Sequence, residues 1–398
     1  MNSSVTVWDS LVGQDLAVAK LREAALGARA IVGAEGGADF EDQNPMSHAW
    51  LITGPPGSGR SNAAKAFAAA LQCTGPVPGC GQCPGCRTTM AESNGDVQFI
   101  RTSKSIISVE TARDLVLRAQ VAPSQGRWRV LVVEDADRLH ERAANALLKA
   151  VEEPPERTVW LLCAPSPEDM IQTIRSRCRH LGLRIPPVRA VADLLASEGI
   201  PPGVALEAAR AAQSHIGRAR ALAKDPEARK RRREIITAPV RVRSVGDAVF
   251  AADRLLRTAK ADADARTKEV DAKERADLER ILGVADDPRA ARAARPQIHA
   301  LEEEQKRRAK RALTDELDRA LIDLLSIYRD VLMNQLGTDQ EPINSDLAEL
   351  VDELARDSTP RQTMERVLAI ETARRRLVGN GQALLVLEAM AVSLRPQV

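Results

Sequence analysis

Short, uninterrupted apolar runs alternate with helix-spaced apolar positions over the first half of the chain, whereas the second half carries helical spacing alone. Candidate strands lie at 50–52, 97–100, 130–133 and 159–163. The last two are continuous apolar runs, the pattern of parallel strands covered by helices on both faces. An Ala-rich helical pattern spans 62–71, and Ser108-Val109-Glu110 opens a helix through Ala119 with Ser108 as its N-cap. This alternation predicts an α/β fold with a parallel sheet, ending near residue 184. A glycine-rich patch at 33–38 reads as a surface loop.

Pro186-Pro187 marks the first boundary, and beyond it the pattern is helical to the end. At about 150 residues per domain, 398 residues allow two or three domains. The pattern divides the chain into an α/β domain at 1–185, a small helical domain at 186–238 and an all-helical domain at 239–398. The basic run Arg229-Lys230-Arg231-Arg232-Arg233 reads as a solvated helix face. From 255 to 311 the chain is rich in Ala, Asp, Glu, Lys and Arg and has no aromatic residue. One or two long exposed helices are expected there, a hairpin broken near Asp286-Asp287-Pro288. Leu313, Leu317, Leu321, Leu324, Tyr328, Val331 and Leu332 then form an apolar stripe, with further helices expected at 363–377 and 382–394. This terminal bundle is expected to mediate assembly.

Apolar residues make up 44% of the chain, enough to fill several cores. No run approaches the roughly 18 apolar residues of a membrane helix. The start, Met1-Asn2-Ser3-Ser4-Val5-Thr6, has neither the basic nor the apolar region of a signal peptide, so a cytoplasmic protein is expected. A net charge of +2 argues against a strongly basic nucleic-acid coat, and 2% aromatic residues are too few for a base-stacking platform. DNA contact, where it occurs, is then expected at backbone phosphates through Lys, Arg and helix N-termini.

Candidate chemistry sits in three places. Gly54-Pro55-Pro56-Gly57-Ser58-Gly59-Arg60-Ser61 follows a strand and opens a helix, the setting of a phosphate-binding loop. Its glycines let backbone amides curl around phosphate oxygens, and the helix N-terminus adds its dipole. The lysine that reaches the β- and γ-phosphates in this motif is here Arg60, a planar and bulkier cation. The second place is Glu134-Asp135, at the end of the apolar run 130–133, where acidic residues hold magnesium and polarise water. The third is Cys73, Cys80, Cys83 and Cys86, spaced C-x6-C-x2-C-x2-C among turn-forming Gly and Pro. Four thiolates at that spacing suit a closed, structural tetrahedral zinc site, and a reducing cytosol disfavours disulfides. Cys163 and Cys178 read as ordinary buried thiols.

Several stretches resemble the bacterial clamp-loader family of AAA+ proteins. Asn145-Ala146-Leu147-Leu148-Lys149-Ala150-Val151-Glu152-Glu153-Pro154-Pro155 is similar to that family's signature, and Ile174-Arg175-Ser176-Arg177-Cys178 carries its Ser-Arg-Cys motif. Trp8-Asp9-Ser10-Leu11-Val12-Gly13-Gln14 resembles the adenine-side segment, and the four-cysteine insertion after the phosphate-loop helix also belongs to the family. The stretch 380–388 resembles the last collar helix, whereas 255–311 matches nothing in the family. The resemblance implies an AAA+ α/β domain, its parallel sheet flanked by helices on both faces, then a small helical lid and an all-α collar.

Within the family, the ATPase subunit (γ/τ) carries a lysine and an Asp-Glu pair, and this chain has Arg60 and the reversed order Glu134-Asp135. Asp135 is one methylene shorter than Glu, about 1.5 Å of reach, and misplacement by about 1 Å costs roughly a hundredfold in rate. Gly217-Arg218 lies one residue out of register with the family's nucleotide-sensing arginine. The resemblance is therefore to the δ′ subunit of the DNA polymerase III clamp loader. It implies weak use of ATP and Mg²⁺ in this chain, structural zinc, and partnership with γ/τ and δ subunits, the sliding clamp and primer–template DNA. It also implies that Arg177, with Ser176 beside it, acts on ATP held by the neighbouring motor subunit. Lys104 and Ser108 are candidates for contact with the DNA backbone. Two other readings stand beside this one. The first is a self-sufficient motor subunit or other AAA+ ATPase. The second is a DNA-binding regulator built on the cysteine cluster, whose only nearby basic residue is Arg87.

Overall fold

The computed structural model describes residues 6–33, 44–101, 107–283, 288–379 and 381–395. The glycine-rich loop from residue 34 on, Lys104 and the expected break at Asp286-Asp287 lie outside the described residues. The chain forms two compact units, Met1–Arg220 and Ala221–Val398.

In the first unit, five parallel strands form one sheet in the order β2-β3-β4-β1-β5. They are β1 (Ala49–Thr53), β2 (Val97–Ile100), β3 (Arg129–Val133), β4 (Thr158–Ala164) and β5 (Arg179–Gly182). Every residue of β1, β3 and β4 is buried, as the continuous apolar runs require. Their side chains alternate between two cores. Trp50, Ile52, Val130, Val132, Leu161 and Cys163 pack on one face, with helices α1 (Asp15–Gly33) and α2 (Arg60–Leu71). Leu51, Leu131, Val133, Trp160 and Leu162 pack on the other.

A short helix, α3 (Pro84–Met90), carries the end of the cysteine segment. Two further helices, α4 (Val109–Ala119) and α5 (Glu141–Glu152), supply Ala112, Leu115, Ala143 and Leu147 to the second core. One turn of helix, α6 (Gln172–Arg175), leads into β5. The remaining helices of this unit, α7 (Val188–Ser197), α8 (Pro202–Ala211) and the start of α9 (Ile216–Lys224), follow Pro186-Pro187.

The second unit is helical. Its helices are α10 (Pro226–Val240), α11 (Val245–Ile281), α12 (Pro288–Gln335), α13 (Ala348–Arg356), α14 (Pro360–Val378) and α15 (Ala383–Ser393). The charged segment is the paired part of α11 and α12. Ala259, Ala263 and Ala312 are buried there, small residues that let the helices approach. Ion pairs Arg275–Glu302 and Arg308–Asp271 run in opposite chain directions, so the two helices are antiparallel. Leu317, Leu321, Leu324, Tyr328 and Val331 form the core with residues of α13, α14 and α15.

The basic run is not wholly solvated. Arg232 is buried, and its guanidinium donates to Asp323 at 3.1 Å and to the side-chain oxygen Oδ1 of Asn344 at 2.5 Å. Asn344 in turn donates to Asp330, which also accepts the backbone N–H groups of residues 343 and 344. Removing one partner of a buried pair leaves a desolvated charge behind. Arg232→Met is therefore expected to cost about 3–5 kcal/mol of stability. Equilibrium denaturation checks this, and a loss under about 1 kcal/mol would contradict the buried pairing.

Candidate functional site

The phosphate-loop segment joins β1 to α2. Gly57 and Gly59 have φ values of +88° and +89°, which side chains rarely adopt. At Gly57 a Cβ would also meet the His215 ring at 3.0 Å, so the imidazole rests directly on the loop. The loop is braced from beneath. Gly54 N–H donates to the Pro165 carbonyl, and Gln14 donates to the carbonyls of Ser58 and Arg184. Beside Gln14 lies a cavity of about 210 Å³ lined by Leu16, Ala17, Gly182, Leu183 and Arg184. That is smaller than the roughly 300–1,000 Å³ of ligand pockets in general.

Arg60 does not extend from the loop. Its guanidinium donates to the carbonyl of Gly54, within the same loop, at 2.6 Å. Ser61 Oγ donates to Glu134 Oε2 at 2.8 Å, so the loop hydroxyl and the first acidic residue meet. The other oxygen, Glu134 Oε1, accepts from Arg101 Nε at 2.7 Å. The remaining guanidinium donors of Arg101 hold Glu92 at 2.7 and 2.8 Å, and Lys65 closes the cluster on Glu92 at 2.8 Å. The Arg101 guanidinium beside it holds the Glu92 carboxyl down at about 2. Asp135 lies 3.7 Å from Arg138. Burial, with the nearby Asp135 charge, raises Asp137, while Arg60 pulls the other way. Ser58 Oγ is buried without a hydrogen-bond partner among the described residues.

On the far side of the strand ends, α6 stops after one turn, and Ser176, Arg177 and Cys178 form its exit. Arg177 is half-exposed and its guanidinium is engaged: Nε pairs with Glu152, and Nη1 donates to the Thr173 carbonyl at 2.8 Å and Ser176 Oγ at 3.3 Å. Cys178 is half-buried and burial pushes its thiol up to about 12; Cys163, fully buried in β4, is likewise pushed up to about 12. Neither is a reactive thiolate.

The four cysteines of the insertion converge. Their sulfurs all lie within 4.8 Å of one another, and Cys73 Sγ is 3.8 Å from Cys83 Sγ. A tetrahedron with metal–sulfur bonds of about 2.3 Å has sulfurs about 3.8 Å apart, so the donor set fits a tetrahedral metal ion. All four are free thiols. Cys83 caps α3, and the backbone N–H groups of residues 83 and 86 point at Cys80 and Cys83 Sγ, each at 3.4 Å. Burial opposes ionisation of Cys83, but N–H donors from Cys86 and Thr74 bring its thiol down to about 6. Burial moves Cys86 upward. Gly85 is the close-packed position here, since a Cβ would fall 2.1 Å from the Gln72 carbonyl. The loop is tied to the N-terminal segment: Trp8 Nε1 donates to the Pro78 carbonyl and Arg29 to the Pro76 carbonyl.

Of the two candidate DNA contacts, Lys104 lies outside the described residues. Ser108 Oγ accepts the Thr111 N–H at 3.3 Å, so its hydroxyl caps α4. The sequence pattern does not point to Arg101, Glu92 or His215, and it marks Glu152 only as part of the stretch 145–155. The signal for Arg101 is one of strand register: Ile100 pairs with Val133, which sets residue 101 beside Glu134.

A family profile described as "DNA polymerase III, delta subunit" matches residues 39–187. This stretch is therefore similar to subunits of bacterial DNA polymerase III. A stretch of 158 residues is 37% identical to DNA polymerase III subunit gamma/tau of Mycobacterium tuberculosis, covering 39% of this chain and 27% of that protein. A stretch of 168 residues is 36% identical to subunit delta′ of Pseudomonas aeruginosa, covering 40% of this chain and 51% of that protein. The chain thus spans between about a quarter and a half of the curated relatives it matches. A solved gamma subunit-related protein of Thermotoga maritima aligns over 89% of this chain and 99% of that chain at 17% identity, with a TM-score of 0.35. Within the first unit the five-stranded parallel sheet, covered by a core on each face, has the α/β arrangement that the alternating sequence pattern predicts. Among the described residues no helix is long and apolar enough to cross a membrane.

Proposed function

We propose that this chain is a δ′-type subunit, a non-motor member of a clamp loader that lends Arg177 to ATP bound by a neighbouring motor subunit. The observation that carries the reading is Arg60. At the position where a motor needs a mobile lysine reaching the phosphates, a guanidinium is folded back on its own loop at the Gly54 carbonyl. The reversed pair Glu134-Asp135 supports it, since the shorter Asp stands where water is activated. A phosphoryl group in transfer spreads charge over its oxygens, and an arginine supplied across an interface stabilises that charge. Arg177 is half-exposed at a helix exit, and its pair with Glu152 is of the exposed kind worth about 0–1 kcal/mol, so releasing it costs little.

In this reading helices over 186–238 form the lid and those over 239–398 the collar that meets γ/τ and δ subunits. The complex holds the sliding clamp on primer–template DNA in the cytoplasm. Lys104 and the amides at the start of α4, after Ser108, belong to its DNA-facing side, and the four cysteines hold structural zinc.

A second reading, a motor subunit, draws on the 37% identity to gamma/tau proteins. One substitution separates the two. Arg60→Ala in the assembled complex is expected to leave DNA-stimulated ATP turnover within about twofold, because this chain's own loop hydrolyses nothing. Loss of turnover by a hundredfold or more would assign the motor role to this chain.

A further inference from the structure

The magnesium position of this phosphate loop is already filled by a side chain. In the motif, a loop Ser/Thr and the first acidic residue hold the divalent ion. Here Ser61 Oγ and Arg101 Nε take one oxygen each of Glu134, at 2.8 and 2.7 Å. Magnesium demands near-ideal octahedral oxygen ligation at about 2.0–2.1 Å, so an ion on Glu134 Oε1 would have to displace Arg101. That arginine is about half exposed, and three of its guanidinium N–H groups are engaged. Its two terminal nitrogens are clamped by Glu92, which Lys65 also holds, and its guanidinium lies 5.8 Å from the Phe99 ring centre. Arg60 likewise fills the lysine place as a fixed cation. As arranged, Glu134 therefore presents no unengaged oxygen to the metal that the motif implies.

We propose that Arg101 is a built-in replacement for the divalent cation, so that this loop takes nucleoside polyphosphates free of metal, or takes them in the metal-bound form only when Arg101 is removed. The idea rests on reading 54–61 as a nucleotide site, and it deepens that reading by naming the form of the ligand. Arg101 positions charge beside the loop and is not a catalytic residue.

The test is equilibrium binding of a fluorescent ATP analogue to the full chain and to Arg101→Gln. Each is measured with 5 mM Mg²⁺ (about the range used for such titrations) and in resin-treated buffer without a chelator, so that metal at the cysteine cluster stays in place. The wild-type affinity is expected to change less than about twofold with Mg²⁺, or to be undetectable in both buffers. Arg101→Gln is expected to gain at least tenfold in affinity on adding Mg²⁺, about 1.4 kcal/mol. Tenfold tighter wild-type binding with Mg²⁺ overturns the proposal and leaves the nucleotide site standing. Binding by Arg101→Gln that is indifferent to Mg²⁺ overturns the role of Arg101 alone. No binding by either protein in either buffer overturns the nucleotide reading together with the proposal.

Discussion

Arg177→Ala in the reconstituted clamp loader is expected to leave assembly intact while lowering ATP hydrolysis at the interface this chain serves by about three orders of magnitude, the lower end for an arginine supplied in trans. Nothing in the fold depends on that side chain. It is half-exposed, and its contacts are one ion pair with Glu152 and bonds to Thr173 and Ser176. Thermal stability of the variant is therefore expected to match the parent within about 0.5 kcal/mol. Arg177→Lys is expected to recover little, because a point charge does not reproduce the planar fork. Glu152→Gln frees the guanidinium without removing it, and at about 0–1 kcal/mol for an exposed pair it is expected to raise turnover by a factor of five at most. Steady-state ATPase assays with primed DNA, alongside co-purification, check all three. Unchanged turnover for Arg177→Ala removes the trans role.

The second large effect lies at the cysteine cluster. Protein purified under reducing conditions is expected to carry one equivalent of zinc, and Cys83→Ser to lose it. Apparent metal-binding free energies of about 10–16 kcal/mol in zinc-finger peptides show how much folding energy such a site can carry. Here the surrounding sheet has its own core, so loss of metal is expected to loosen a region rather than unfold the domain. That region is identifiable. The loop at 73–86 holds Trp8 through Pro78 and Arg29 through Pro76, so metal removal is expected to raise amide exchange both in the insertion and at the N-terminal segment. Less than one equivalent of metal, or exchange confined to the insertion, would contradict this arrangement.

Much of the α/β domain is legible in the sequence because buried parallel strands need continuous apolar runs. Strands at 50–52, 97–100, 130–133 and 159–163 appear in the structure within a residue or two at each end. The fifth, Arg179–Gly182, leaves no such mark. It pairs only with β1 and buries Leu181 alone among exposed neighbours, so no apolar run announces it. The charged stretch from 255 is legible as paired helices from composition, but its antiparallel register depends on Arg275, Glu302, Arg308 and Asp271, which sit 27 to 37 positions apart.

The candidate site divides in the same way. Motif spacing locates the loop, the acidic pair, the four cysteines and Arg177. It does not reveal that Arg60 turns inward, that Arg101 holds Glu134, or that Glu152 holds Arg177. Those contacts join residues 6, 33 and 25 positions apart, and side-chain direction decides them. The basic run shows the opposite failure. Helical surface spacing suggests solvation, yet Arg232 is drawn inward because Asp323 and Asn344 on other segments meet it.

The most direct measurement is ATP turnover by the purified chain, first alone and then with the proposed γ/τ and δ partners and primed DNA. A δ′-type subunit is expected to hydrolyse nothing above background by itself and to be required for full turnover by the assembly. Brisk magnesium-dependent hydrolysis by the lone chain, or a complex that runs at full rate without it, would contradict that role.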